Sequence, residues 1–238
     1  MNYLIIVVTI ISTFLGGLFA IRFRDKLHLI LGFSAGAVIG VTFFDLLPES
    51  INLTAGFYPT QTITLLIVIG FILYLIVDRF FSIHSHEDDH CENPNHQNKL
   101  GAFTLCVHSF LDGLGIGLAF KVSPTVGWIV AAAVLTHDFS DGINTVNMIL
   151  KNKNNKKEAY KWLIIDALAP ALGITTAIFL TVSQPVLGLI LSVFTGLFLY
   201  IGASELIPES HHRHPTIWTT VMTVLGVSTL YLIINFIK

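Results

Sequence analysis

The sequence predicts an all-α integral membrane protein with eight transmembrane helices. Hydrophobic residues make up 53% of the 238 residues and charged residues only 12%, whereas soluble domains carry about a quarter charged residues. Apolar runs of about 20 residues, the length that crosses a bilayer as a helix, recur along the chain. Two cysteines, Cys91 and Cys106, are too few for a disulfide framework. The net charge of −2 says nothing about a nucleic-acid partner, and none is expected.

The eight apolar runs are separated by polar or proline-containing joints and form one transmembrane domain over residues 1–238. The first run follows no positively charged segment and is long enough to stay in the membrane, so it is not interpreted as a signal peptide. The predicted spans are residues 3–21, 29–48, 61–81, 100–120, 126–150, 160–182, 185–207 and 216–237.

The distribution of lysine and arginine predicts the orientation. With the N-terminus outside, eleven of the thirteen basic residues lie on the cytoplasmic side, and only Lys121 and Lys238 lie outside. This is the bias that the positive-inside rule describes. We therefore expect a multi-pass protein of the bacterial cytoplasmic membrane with both termini outside.

An internal repeat relates the two ends of the chain. The motif DLLPES at residues 45–50 recurs as ELIPES at residues 205–210, an offset of 160 residues. The same offset carries span 1 onto span 6 and most of span 3 onto span 8, and a shift of five spans reverses their orientation. Spans 4 and 5 share a His-x-x-x-Asp-Gly pattern and are also antiparallel. The prediction is a 3+2+3 inverted-repeat arrangement, a design of secondary transporters that bind substrate near the bilayer midplane.

That shared pattern predicts a metal site. His108 and Asp112 stand four residues apart, as do His137 and Asp141, so each pair lies on one helix face. Ionisable groups inside spans are costly and usually line a functional path. The candidate ligands are His108, Ser109, Asp112, His137, Asp138, Asp141 and Asp166.

The ligand types favour a transition metal. Several deep carboxylates cannot all stay charged without a cation. Imidazole with carboxylate suits zinc, iron(II), manganese, cobalt or nickel better than calcium or magnesium. Some residues have other interpretations: Ser109 can bond back to its own helix, and Asp138 or Asp166 can be polar contacts between helices.

Two further groups of residues suit a path for cations. The repeated motif places Asp45 and Glu49 at the predicted outer mouth and Glu205 and Glu209 at the inner one, although helix capping at the prolines is an equal alternative. The joint at residues 82–99 suits weak capture of a divalent ion or is a solvated polar loop. Its candidate ligands are His84, His86, His90, Cys91 and His96.

Taken together, these motifs resemble the ZIP (Zrt-, Irt-like protein) family of divalent metal transporters, in its prokaryotic branch. The resemblance covers nearly the whole chain, and its most specific part is the signature of span 4, typically His-Asn-x-Pro-Glu-Gly in the family. It implies a binuclear site between spans 4, 5 and 6 and an elevator-like movement of one bundle against the other. One metal site would use His108, Asp112, His137 and Asp141, and the second would use Ser109, Asp112, Asp138 and Asp141.

The sequence departs from the family pattern at several of these positions. Ser109 replaces the asparagine, and the shorter Asp112 and Asp141 replace the glutamates. The prolines of the two signatures are absent. In span 6, Ala169 stands where the family has an acid, and Asp166 lies three residues earlier.

The expected function is transport of a divalent transition metal into the cytoplasm by alternating access. Zinc is expected first, then iron, manganese or cadmium. The expectation includes no enzymatic activity and no cofactor beyond the transported metal. The expected partners are the metal and the lipid bilayer. A homodimer is expected only because membrane transporters of this size are usually dimers. The alternatives are an intramembrane zinc-dependent hydrolase and a metal exporter or sensor on the same scaffold.

Overall fold

The computed structural model describes residues 3–22, 27–86, 94–150, 156–212 and 217–237. In these ranges the chain forms ten α-helices, two π-helical segments and no strand, which confirms the predicted all-α class. The α-helices are α1 (Tyr3–Arg22), α2 (Leu27–Val41), α3 (Leu47–Thr54), α4 (Thr60–His86), α5 (Pro94–Val122), α6 (Pro124–Leu150), α7 (Lys156–Phe179), α8 (Gln184–Tyr200), α9 (Ile207–His212) and α10 (Ile217–Ile237). The π segments are Thr42–Leu46, between α2 and α3, and Ile201–Leu206, between α8 and α9.

Most of these helices have the length and apolar composition of membrane spans. Among the described residues, six stretches qualify: Leu29–Thr54, Thr60–Arg79, Gly101–Val122, Lys156–Phe179, Gln184–Leu206 and Ile217–Phe236. They match predicted spans 2, 3, 4, 6, 7 and 8. Helix α1 is apolar but shorter, over Leu4–Ala20. Helix α6 is not among the six because its centre carries His137, Asp138 and Asp141.

Spans 2 and 7 do not end at their prolines, since α3 and α9 continue the helices beyond Pro48 and Pro208. In a regular α-helix, a proline ring clashes with the carbonyl four residues earlier. Here that carbonyl belongs to Phe44 or Ser204, and each lies inside a π segment, whose wider turn gives the ring room. The two π segments are therefore a local response to the repeated proline.

The helices pack as two bundles. Helices α1, α5, α6 and α7 pack on one another and are called the four-helix bundle. The remaining helices, α2, α3, α4, α8, α9 and α10, pack together with the π segments and are called the second bundle. The bundles meet mainly where α6 contacts α2 and where α5 contacts α4 and α8.

The glycine that ends each signature brings another helix against α5 or α6. A Cβ at Gly113 would meet the backbone carbonyl of Pro170 in α7, and a Cβ at Gly142 would meet that of Thr13 in α1. Small residues permit such close approach of membrane helices. The two glycines therefore fix α7 and α1 around the helices that carry the candidate ligands.

The joint between spans 3 and 4 is shorter than the predicted loop at residues 82–99. Helix α4 continues to His86, and α5 begins at Pro94. His84, His86 and His96 are thus helical, but their side chains lie outside the described part of the structure. The predicted loop ligands His90 and Cys91 lie outside the described residues altogether.

Candidate metal centre

Four of the predicted ligands meet at the contact between α5 and α6. His108 and Asp112 lie one turn apart on α5, and His137 and Asp141 lie one turn apart on α6. One ligand atom from each residue, a ring nitrogen or a carboxylate oxygen, lies within 4.8 Å of all the others. All four residues are buried, so the two signatures together form one enclosed group of two imidazoles and two carboxylates.

The distances within this group match those around a single ion. His108 Nε2 lies 3.1 Å from Asp112 Oδ2 and 3.6 Å from Asp141 Oδ2. His137 Nε2 lies 3.1 Å from the same oxygen of Asp112. Tetrahedral ligands at about 2.1 Å from zinc stand about 3.4 Å from one another. The donor atoms therefore need only small shifts to bind a zinc-sized ion.

The charges also suit a divalent ion. Two carboxylates carry two negative charges, and neutral imidazoles add nitrogen donors without further charge. Bringing uncompensated charge into an apolar interior is costly. A divalent cation between Asp112 and Asp141 balances both of these carboxylates, so the four residues and the ion together carry no net charge.

The two histidines are oriented by different partners. His137 Nδ1 lies 3.2 Å from the carbonyl oxygen of Ala133, one turn earlier on the same helix. His108 Nδ1 instead lies 2.6 Å from the hydroxyl of Tyr74 on α4, in the second bundle. Sequence reasoning missed Tyr74, because a single tyrosine within an apolar span carries no signal of its role.

Ser109 and Asp166 are not in the group of four but hydrogen-bond to each other. Ser109 Oγ donates to Asp166 Oδ1 at 2.8 Å, and Thr145 Oγ1 donates to Asp166 Oδ2 at 2.8 Å. This network joins α5, α6 and α7 next to the centre. Thr145 was not among the predicted site residues, although it stands four residues after Asp141 and therefore on the same helix face.

Asp138 is fully buried beside the centre but lies outside the group of four. Among the described residues, neither of its carboxylate oxygens has a hydrogen-bond partner. Its carboxylate interacts electrostatically with His137 as well as with Asp112, Asp141 and Asp166. A buried carboxylate among other acids is stabilised by a proton, a protonated histidine or a cation.

The predicted mouth residues lie in or next to the π segments. Asp45 is fully buried in the first segment, and Glu205 is half-buried in the second. Glu205 interacts electrostatically with His108 and Asp141 of the centre, and its role as the inner mouth stays a prediction. Glu49 is half-buried in α3, and the side chain of Glu209 lies outside the described part.

Known proteins similar to this chain are zinc transporters. The model of the ZIP zinc transporter family matches residues 100–234, more than half of the chain. The chain is 27% identical to zinc transporter ZupT of Corynebacterium aurimucosum, with 92% of each protein covered. It is 24% identical to zinc transporter zipt-7.1 of Caenorhabditis briggsae over 77% of this chain, which spans only 62% of that protein. Human zinc transporter ZIP6 is 30% identical over 45% of this chain and 14% of its own length.

Proposed function

This chain belongs to the ZIP zinc transporter family, and we propose that it carries a divalent transition metal, zinc first, into the cytoplasm by alternating access. The observation that carries the proposal is the buried group of His108, Asp112, His137 and Asp141 between α5 and α6. We propose these four residues as the transport site. Members of the family are transporters rather than enzymes. The bacterial relative that is covered to 92% of its length is named a zinc transporter, which supports zinc as the first substrate to test.

The donor set suits an ion that must be released. Two imidazoles and two carboxylates favour zinc and its transition-metal neighbours over calcium and magnesium. The site contains no thiolate, and Cys106, although buried in the same helix, is not in the group. The side chains of Asp112 and Asp141 are shorter than the glutamates of the family pattern. The order of preference among metals therefore has to be measured for this chain.

The proposed architecture is eight spans in a 3+2+3 inverted repeat. Helix packing supports it. The repeat relates α1 to α7 and α6 to α5, so the contact of α1 with α6 should recur as a contact of α7 with α5, and both contacts are present. The contact of α2 with α10 and the contact of α8 with α4 are mates in the same way. The two π segments, which carry Asp45 and Glu205, also occupy equivalent positions.

Contacts at the two ends of α5 and α7 support the proposed alternation of spans 4, 5 and 6. Near the start of both helices, Lys99 Nζ lies 3.3 Å from Glu158 Oε1. Near the end of both, Lys121 Nζ donates to the carbonyl oxygen of Ile178 at 3.3 Å. The two helices therefore run parallel, as spans 4 and 6 must when span 5 crosses the membrane between them.

The proposed path uses both bundles. Metal enters past Asp45 and Glu49 and binds in the four-helix bundle, which then moves relative to the second bundle. It leaves past Glu205 and Glu209 towards the histidine-bearing joint, with His84, His86, His90, Cys91 and His96 as proposed weak ligands. The position of Asp45 and Glu205 in the second bundle supports this path, because acids on the facing bundle can draw the cation towards and away from the centre.

Uptake into proteoliposomes tests the proposal. Wild type is compared with His108→Ala and Asp141→Asn for zinc, iron, manganese and cadmium. Both variants should reduce metal flux to that of protein-free vesicles, because His108→Ala removes a nitrogen donor and Asp141→Asn removes one of the two negative charges that balance the ion. Glu158→Gln is the matched control, since it removes an acid that pairs with Lys99 away from the centre, and it should transport normally.

Other outcomes distinguish the alternatives. Flux that both variants retain would contradict the assignment of the centre. Wild-type protein that moves no ion but hydrolyses an amide or a lipid in a zinc-dependent way would support the hydrolase. Flux only out of the cytoplasmic side, measured in vesicles of known orientation, would support an exporter.

A further inference from the structure

The hydroxyl of Tyr74 links the metal centre to the second bundle. All four residues of the group lie on α5 and α6 of the four-helix bundle. Tyr74 lies on α4 of the second bundle, is 8% exposed, and has its hydroxyl oxygen 2.6 Å from His108 Nδ1. This hydrogen bond therefore crosses the contact between the bundles and reaches a proposed ligand.

The geometry leaves the other ring nitrogen of His108 for the metal. His108 Nε2 faces Asp112 and Asp141 at 3.1 and 3.6 Å. A histidine that binds a metal through Nε2 carries its remaining proton on Nδ1, and this N–H donates to a second group that fixes the ring. Here the acceptor is the oxygen of Tyr74.

Tyr74 is itself held by its own bundle. Its ring centre lies 5.1 Å from that of Tyr200 on α8, and Tyr200 packs against Phe71 at 5.3 Å. The Tyr200 hydroxyl donates to Asp78 Oδ2 at 2.7 Å. The Tyr74 ring is therefore packed against an aromatic ring of its own bundle, and this ring contact does not involve the hydroxyl of Tyr200.

The two histidines of the centre consequently differ. His137 Nδ1 lies beside the carbonyl oxygen of Ala133 in its own helix, so this hydrogen bond does not depend on the second bundle, which contacts His137 through the ring of Phe198. The orientation of His108 depends on Tyr74 and hence on how the bundles are docked. We infer that Tyr74 is the residue that positions His108; this inference rests on the proposed transport site. Tyr74 thereby makes the metal affinity of the centre depend on how the two bundles are docked.

Zinc titration of the full-length protein in nanodiscs tests this inference. Tyr74→Phe keeps the ring and removes only the hydroxyl, and it should weaken zinc binding about tenfold, within the 10–100-fold loss that such outer partners usually cause. The Co²⁺ absorption spectrum should shift, because the His108 ring is no longer fixed. Tyr200→Phe is the matched control, since it removes a neighbouring hydroxyl that contacts Asp78, and it should leave both readouts unchanged.

A double-mutant cycle separates positioning from a general structural effect. In a His108→Ala background, Tyr74→Phe should cause no further loss of zinc affinity. Wild-type affinity in Tyr74→Phe, or an equal loss in both backgrounds, would overturn the role of Tyr74 while leaving the transport site intact. Absence of zinc binding by the wild type would overturn the transport site and the inference together. Equal melting temperatures of the metal-free proteins verify that Tyr74→Phe folds.

Discussion

At the scale of single residues, the centre is built from two copies of one helical spacing. His108 with Asp112 and His137 with Asp141 each span one turn, so α5 and α6 each present one imidazole and one carboxylate to their contact. The residues that directly follow the two histidines, Ser109 and Asp138, make different contacts. Ser109 donates its hydroxyl to Asp166, whereas Asp138 has no hydrogen-bond partner among the described residues.

This difference leads to a prediction of metal stoichiometry. We expect one tightly bound zinc per chain, because four residues share one ligand group and Ser109 is engaged by Asp166. Asp138→Asn should leave this stoichiometry unchanged, whereas His108→Ala should weaken the binding of that one ion. Equilibrium dialysis followed by elemental analysis measures both. Two ions in the wild type and one in Asp138→Asn would instead establish the second site that the family resemblance implies.

At the scale of helices, the signature glycines determine how closely the elements of the four-helix bundle approach. Gly113 faces the backbone of Pro170, and in return Gly173 of α7 faces the backbone of Phe110 in α5. Backbone atoms cannot rotate away as a side-chain end can. Helix α7, which carries Asp166 to its two hydroxyl donors, is therefore positioned by these glycines.

Gly113→Ala should destabilise the protein by about 1–3 kcal/mol, the usual cost of overpacking a well-packed site. The added methyl group would meet the carbonyl of Pro170, so α5 and α7 must separate. Gly101→Ala on the same helix is the control, since its methyl group would meet only the flexible end of Met148 and alanine favours helix formation. Thermal unfolding in detergent compares them. Equal melting temperatures for Gly113→Ala and wild type would contradict the close approach.

At the scale of the whole molecule, the two bundles have different roles in the proposed transporter. The four-helix bundle carries the ligand group, and the second bundle carries Asp45, Glu205 and Tyr74. Alternating access requires that these parts have more than one relative position. The contacts of α6 with α2, and of α5 with α4 and α8, are the surface along which such a movement would occur.

The placement of α6 across the membrane is the part of this architecture that most needs a test. We expect Lys121→Cys, before α6, to react with a membrane-impermeant maleimide in intact cells. Lys157→Cys, after α6, should react only once the membrane is permeabilised. Both are made in a background in which Cys91 and Cys106 are replaced by serine, which serves as the unlabelled control. Labelling of both positions from the same side would show that α6 does not cross the membrane.

Composition and periodicity were sufficient to predict the helical class and the four residues of the ligand group. Long apolar runs can satisfy their backbone in lipid only as helices or closed barrels. A spacing of four residues places two side chains on one helix face whatever surrounds the helix. Those features are local, so His108, Asp112, His137 and Asp141 could be identified without coordinates.

Contacts between distant parts of the chain were decided only by the tertiary structure. Tyr74 reaches His108 across 34 residues, and Ser109 reaches Asp166 across 57. The packing of α4 on α8 and of α7 on α5 brings each pair together. No spacing in the sequence encodes such distances, because they depend on which helices are neighbours and how closely they approach. Local spacing therefore predicts which residues are candidate metal ligands, whereas the packing of distant helices places the groups that orient them.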